Sequence, residues 1–314
     1  MAVIQLNTGE ESESNRLTVL RLIDRALTGD AATRPELLVL PELLNHLSWY
    51  RDQIHASEVS LDTMDHLWLS SIAQKAKYYK TYIVANFSMR KENPGGKVVS
   101  RSVIFGPDGT VQGTSEKRSL LGHEILHFDP GQDLPHTVET PFGRIAAIAG
   151  GDALTPEAIR GLALRGCDII CVSSATAAPD EAWLHLPARA AENKVWILSS
   201  NKSGPLVPKS KLHEISVATK IPTRYLTATG QSQIISPGGV AVASAGRSGE
   251  AVVISEVNLE SSRSKSRPDG TEILQSRRVA LYRPLYRSLS SLPPDESQKF
   301  DLRCFKGPMD QDRP

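Results

Sequence analysis

The sequence predicts an α/β protein, on three observations. Short β-branched or leucine-rich runs recur along the chain, segments with apolar residues at helical spacing lie between several of them, and turn-forming clusters separate others. Residues 3–6 (Val-Ile-Gln-Leu) read as the first strand, and 15–27 as the first helix. Strand 37–40 (Leu-Leu-Val-Leu) follows, then a helix over 60–78 and strands at 82–87 and 103–105. Phe105-Gly-Pro-Asp-Gly-Thr110 places turn residues between extended runs, as an antiparallel return requires. Strand 145–149 leads into helix 156–164, which opens on Pro156, where the missing N–H costs nothing. Strand 169–173 precedes a helix over 181–194 that Pro187 breaks or delays, because its ring excludes the carbonyl one turn back. Strands 195–200, 232–235 and 251–257 complete the pattern, with Ser236-Pro-Gly-Gly-Val240 as a second hairpin turn.

With 314 residues the chain suffices for one large core or two small ones; we expect one domain over 1–290 and a polar tail over 291–314. The stretch Ser261-Ser-Arg-Ser-Lys-Ser-Arg267 reads as solvated surface. Thirty-six basic and 35 acidic residues leave a formal charge of +1, which gives no electrostatic reason to expect nucleic acid or an anionic membrane as partner. No run is apolar enough to span a membrane, and Met1-Ala-Val-Ile-Gln-Leu6 is too short and lacks the basic leader of a signal peptide, so a cytoplasmic location is the default expectation. Three cysteines argue against a disulfide scaffold. Cys167 and Cys171 fall at even spacing along one predicted strand, so we expect them on one face, packed as small apolar side chains. No cofactor is expected.

Three segments hold side chains capable of chemistry. Leu37-Leu-Val-Leu-Pro-Glu42 puts a carboxylate directly after a buried strand, where desolvation would raise its pKa toward the range of a general base; an acidic residue in a first helical turn is the plainer alternative. Lys117, followed by Leu120-Leu-Gly-His-Glu124 and Phe128-Asp-Pro-Gly131, is either an oxyanion stabiliser or a surface charge. His123-Glu-Ile-Leu-His127 fits the H-E-x-x-H pattern of helical zinc sites, but Asp129-Pro-Gly131 stops any helix at once. We expect no metal there, and keep a zinc hydrolase as the least favoured reading.

The most informative stretch is Gly143-Arg-Ile-Ala-Ala-Ile-Ala-Gly-Gly-Asp-Ala-Leu-Thr-Pro-Glu157, in which Gly150, Gly151 and Asp152 follow an apolar strand. With the strand-Leu-Pro-Glu, the Lys and Glu before an aromatic-x-Pro-Gly, Tyr82-Ile-Val-Ala-Asn86, Arg189-Ala-Ala-Glu-Asn193 and Arg277-Arg-Val-Ala-Leu-Tyr-Arg-Pro284, it resembles the nitrilase (carbon-nitrogen hydrolase) superfamily from Val3 to about Pro284. The resemblance implies a four-layer α-β-β-α sandwich of two mixed sheets, paired with a second copy as a homodimer or higher oligomer. It implies Glu42 as base, Lys117 as holder of negative charge, Glu124 as the group orienting lysine or water, and the N–H of Gly151 as a further donor to the substrate oxygen or nitrogen. The family's cysteine nucleophile falls at Gly150, and its neighbours depart too, with Gly151 for an aromatic and Leu154-Thr155 for an Arg-aromatic pair. Trp49, Tyr50 and Ala175 are candidate pocket walls, with ordinary helix-face packing for the first two and a plain strand end for the third left open.

Two functions follow as expectations. One is hydrolysis of small amide, carbamoyl or nitrile compounds, with the cysteine replaced at this position or its work done by a water. The other is a catalytically silent relative that binds or regulates through the retained pocket, a pseudoenzyme.

Overall fold

Among the described residues twelve of fourteen strands gather into two six-stranded sheets, and the sequence pattern explains why they face each other. The computed structural model describes residues 1–30, 33–62, 67–91 and 98–290, the side chains of 285–290 excepted. The strands are β1 (Ala2–Gln5), β2 (Leu37–Val39), β3 (Tyr82–Arg90), β4 (Val98–Phe105), β5 (Val111–Glu116), β6 (Thr137–Thr140), β7 (Gly143–Ala149), β8 (Ile169–Ser174), β9 (Trp196–Asn201), β10 (Ser203–Pro205), β11 (Thr227–Thr229), β12 (Gln233–Ile235), β13 (Ala241–Ser244) and β14 (Ala251–Ile254). The first sheet runs β14-β1-β2-β3-β4-β5 and the second β13-β12-β9-β8-β7-β6, while β10 and β11 form a separate pair. Each large sheet has three parallel central strands, β1-β2-β3 and β7-β8-β9, flanked by antiparallel ones.

Central strands buried on both faces need apolar residues throughout, which is why their sequences run without polar alternation. Val3, Leu37, Val39, Val84 and Ile104 of the first sheet meet Ile145, Ala147, Ile169, Cys171 and Leu198 of the second. Their alternates turn outward. Ile4, Leu38 and Ala85 pack under α1 (Ser12–Leu27), whose buried Val19, Leu22, Ile23, Ala26 and Leu27 recur at helical spacing. Trp68, Leu69, Ile72 and Ala76 join this layer, after α2 (Gln53–Val59), from α3 (Leu67–Tyr79). A one-turn helix, α4 (Glu124–His127), follows. On the other side, Ile148, Ile170 and Ile197 pack beneath α5 (Gly150–Leu154), α6 (Pro156–Leu164) and α7 (Leu186–Asn193). The result is the four-layer sandwich.

Several local expectations change. The helix expected over 60–78 is described only from Leu67, as α3, and Ser60 is the C-cap of the separate, unforeseen α2; residues 63–66 lie outside the described set. Pro187 delays α7 as expected, and a π-helical turn over Glu181–His185 takes its place upstream. The cysteines do not share a face. Cys171 lies between the sheets but Cys167 lies under the helices, because β8 begins at Ile169 and Cys167 still belongs to the turn out of α6, its N–H bonded to Leu162 O. Both are buried, free thiols. The last strand ends at Ile254, short of 257, and β6, β10 and β11 lie where no run was apolar enough to read. The expected tail, 291–314, lies outside the described residues. Among the described residues, no helix is long and apolar enough to cross a membrane.

The sheets are stitched together at the carboxyl ends of their parallel strands. Ser173 Oγ donates to Leu40 O at 2.8 Å, Ser200 Oγ donates to Ile4 O, and Glu42 N donates to Ser174 O at 3.2 Å. Residues just beyond β2, β7, β8 and β9 therefore converge, and the strand-end rule for α/β folds places a site there.

Candidate active site

Glu42 stands two residues after Leu40, outside any helix, so the first-turn alternative is not realised. Its position is forced by Leu43, which adopts φ 52°, a left-handed conformation that costs an L residue about 1–2 kcal/mol. Two buried partners hold that kink: Asn86 Oδ1 accepts from Leu43 N at 2.9 Å, and Lys202 Nζ donates to Leu43 O at 2.9 Å. Strain of this kind persists only where surroundings over-determine it.

Lys117 follows β5 directly and is 3% exposed, so it is no surface charge. Its Nζ donates to Glu42 Oε1 at 3.0 Å and to Glu124 Oε1 at 2.6 Å. Ser100 Oγ also donates to Glu42 Oε1, at 3.0 Å, while Glu124 Oε2 accepts from Leu121 N at 2.8 Å. Burial raises the Glu42 carboxyl above its ordinary range, against the pull of Lys117. Burial alone would depress Lys117, but Glu124 and Glu42 together hold it above the usual lysine value. The centre is thus one fixed ammonium between two carboxylates, with one of them inclined to take a proton.

Gly150 opens α5 immediately after β7, at the strand-to-helix elbow. A Cβ there would lie 3.0 Å from Ser174 Oγ, a tight contact against a hydroxyl that can turn. At Gly151 the constraint is of another order: a Cβ would lie 2.2 Å from Ser119 O and 2.8 Å from Lys117 Cε. Asp152 holds that segment down. Its Oδ1 accepts from Arg118 N and Ser119 N at 3.0 and 2.8 Å, and its Oδ2 pairs with Arg118 Nη2 at 2.7 Å.

Of the candidate walls, Ala175 is half-buried just beyond β8, whereas Trp49 packs on a satellite cluster of Val207, Ile215 and Leu226, the second of these from α8 (Leu212–Thr219). Neither Trp49 nor Tyr50 is on a helix. Tyr50 is buried, and its hydroxyl is pushed up by burial first and then by Glu124 and Glu42. The H-E-x-x-H segment spans only the one turn of α4; Glu124 is engaged by Lys117 and His123 Nε2 lies 2.8 Å from Ser48 O. Among the described residues no group of three or more His, Cys, Asp or Glu side chains is arranged to hold a metal.

Sequence reasoning missed four residues here. Lys202 is wholly buried, donates to Leu43 O, His46 O and Ser48 Oγ, and is lowered to about 7 by burial. Glu181, 8% exposed, accepts from Thr176 Oγ1 at 2.6 Å; burial raises it to about 7, and it feels Lys117 and Glu42. Ser100 and Ser174 are the other two. Lys202 and Ser174 had a signal, polar residues ending apolar strands, but Glu181 reads in sequence as an ordinary helix acid.

A family model described as carbon-nitrogen hydrolase matches residues 1–267. The chain is 26% identical to a nitrilase of Pyrococcus abyssi, covering 90% of this chain and 98% of that one. It is 24% identical to an N-carbamoylputrescine amidase of Solanum tuberosum, covering 87% and 96%. Among solved structures it is similar to a mutant of the amidase from Nesterenkonia sp. AN1 carrying the acetamide moiety of fluoroacetamide on the active-site cysteine, with TM-score 0.70, 21% identity and coverage of 90% and 95%. With the family model extending over most of its length and the sandwich shared, the chain belongs to the carbon-nitrogen hydrolase family.

Proposed function

We propose that this chain hydrolyses small amide, carbamoyl or nitrile compounds, with Glu42 as general base, Lys117 as oxyanion stabiliser, Glu124 as the group that orients Lys117, and water as the nucleophile beside Gly150. One observation carries the reading: the buried Glu42–Lys117–Glu124 array, whose two ion pairs measure 3.0 and 2.6 Å. Burying three charged groups is costly without a polar task, and this family supplies one.

The related amidase bears its adduct on a cysteine, and this chain has glycine at the elbow where the resemblance puts that thiol. The covalent step is then replaced by direct addition. Glu42, its carboxyl raised by burial, removes a proton from water as the oxygen attacks the carbonyl or nitrile carbon. Lys117 and the Gly151 N–H polarise the atom that gains negative charge, and single donors of this kind are worth about a hundredfold or more. With an amide or carbamoyl compound Glu42 returns the proton to the departing nitrogen; with a nitrile it returns the proton to the nitrogen that stays bound, giving the amide, and a second water releases ammonia by the same route.

The crowding of Gly151 by Ser119 O favours a second reading, a silent relative that binds its ligand without turnover, because the segment fills space the family gives to an aromatic side chain. Ammonia release from a panel of propionamide, butyramide, N-carbamoyl compounds and propionitrile separates the two. We expect turnover that Glu42→Gln and Lys117→Ala abolish; calorimetric binding without turnover in the parent protein would establish the silent reading. Self-association is part of the same proposal, and sedimentation of the parent protein tests it.

A further inference from the structure

Direct attack by water sets a requirement that Glu42 alone cannot meet. A water held by one acceptor still rotates, and its lone pair points at the substrate carbon only if a second polar group fixes the other hydrogen. Ser174 stands where that group is needed. It is the last residue of β8, 3% exposed, and its Oγ lies 3.0 Å from the position a Cβ on Gly150 would take. Its carbonyl accepts from Glu42 N at 3.2 Å, so the base and this hydroxyl are tied through the backbone. Neighbouring hydroxyls are committed: Ser173 to Leu40 O, Ser100 to Glu42, Ser115 to Ala147 O. Ser174 Oγ is engaged in none of these bonds.

We propose that Ser174 is a positioning residue whose Oγ, together with the Glu42 carboxylate, seats the attacking water beside Gly150. This rests on the hydrolytic reading above. One water hydrogen goes to Glu42 and the other is held by Ser174 Oγ, leaving a lone pair directed at the carbonyl carbon. The C–O bond forms as the carbonyl π pair moves onto oxygen beside Lys117. The C–N bond then breaks, its electron pair takes the proton from Glu42, and a carboxylic acid and ammonia leave with no change of oxidation state. Glycine at 150 and serine at 174 are on this account a matched pair, since any Cβ at 150 presses on the hydroxyl.

Steady-state hydrolysis of propionamide and butyramide by four proteins tests this: parent, Ser174→Ala, Gly150→Ala and the double variant. We expect Ser174→Ala to lower kcat by about a hundredfold with KM and thermal midpoint unchanged. Gly150→Ala should fall similarly, and the double variant should be no worse than either, because both act on one water. Unchanged kcat in Ser174→Ala, or losses that multiply in the double variant, would overturn the proposal and leave the hydrolytic reading standing. A parent protein that turns over nothing would overturn both. Mass spectrometry of acid-quenched reactions supplies a further check, since an acyl group found on Ser174 would make the serine itself the nucleophile and refute a water-seating role.

Discussion

Leu43 shows how much of this site is decided at single residues. A leucine held at φ 52° is kept there by Asn86 and Lys202, and the kink aims Glu42 at Lys117. Position 151 is equally specific. Because a Cβ would meet Ser119 O at 2.2 Å, Gly151→Ala should lose about 1–3 kcal/mol in urea denaturation. Gly150→Cys meets a rotatable hydroxyl at 3.0 Å and Ser174 Cα and Cβ at an ordinary 3.4 Å, and should fold with near-parental stability; a large loss there would contradict the geometry. Glu181 supplies a pH signature. Burial raises its carboxyl to about 7 from a reference of 4.5, so between those values the folded chain keeps a proton that the unfolded chain has released. Its contribution is fully present below pH 4.5 and is lost as pH rises through 7. Glu181→Gln should therefore flatten the fall in stability between pH 5 and pH 8, and an unaltered slope would show that the carboxyl does not carry it.

Elements hold these residues in place through a few buried polar ties. The turn into α5 and the segment after β5 are joined by Asp152, which accepts from Arg118 and Ser119. Asp152→Ala leaves those donors without an acceptor and should cost about 1–3 kcal/mol. Amide exchange at Arg118 and Ser119 should quicken more than exchange in β8, and uniform quickening would mean the tie is not local. Helix limits were legible where punctuation was chemical. Pro156 opens α6, Pro187 delays α7 and Asp129-Pro-Gly131 confines α4 to one turn. Where the pattern alone was the guide it misled: Ser60, read as the start of a helix, is the extended cap after α2, and Cys167 lies in a turn, where strand alternation does not apply.

Across the whole molecule the inter-sheet core fixes how the two halves of the site meet. Leu198 and Ile104 come from opposite sheets and are fully or almost fully buried in it. Leu198→Ala should cost about 2–5 kcal/mol, and should reduce any hydrolytic activity because the ends of β2 and β8 depend on the same packing. Loss of stability with turnover intact would separate the core from the site. The sequence by itself determined the layered α/β class and the family resemblance, and it singled out Glu42, Lys117 and Glu124 as candidates, because strands buried on both faces and residues at strand ends leave local patterns. Only the tertiary structure decided that Lys117 is buried between two carboxylates, that Ser174, Glu181 and Lys202 belong to the same region, and that Ser119 closes over Gly151. Apart from Lys117 and Glu124, seven positions apart, those facts depend on contacts between residues about 30 to 160 positions apart, and no local pattern of polarity records which distant side chain a sheet-on-sheet packing will bring within reach.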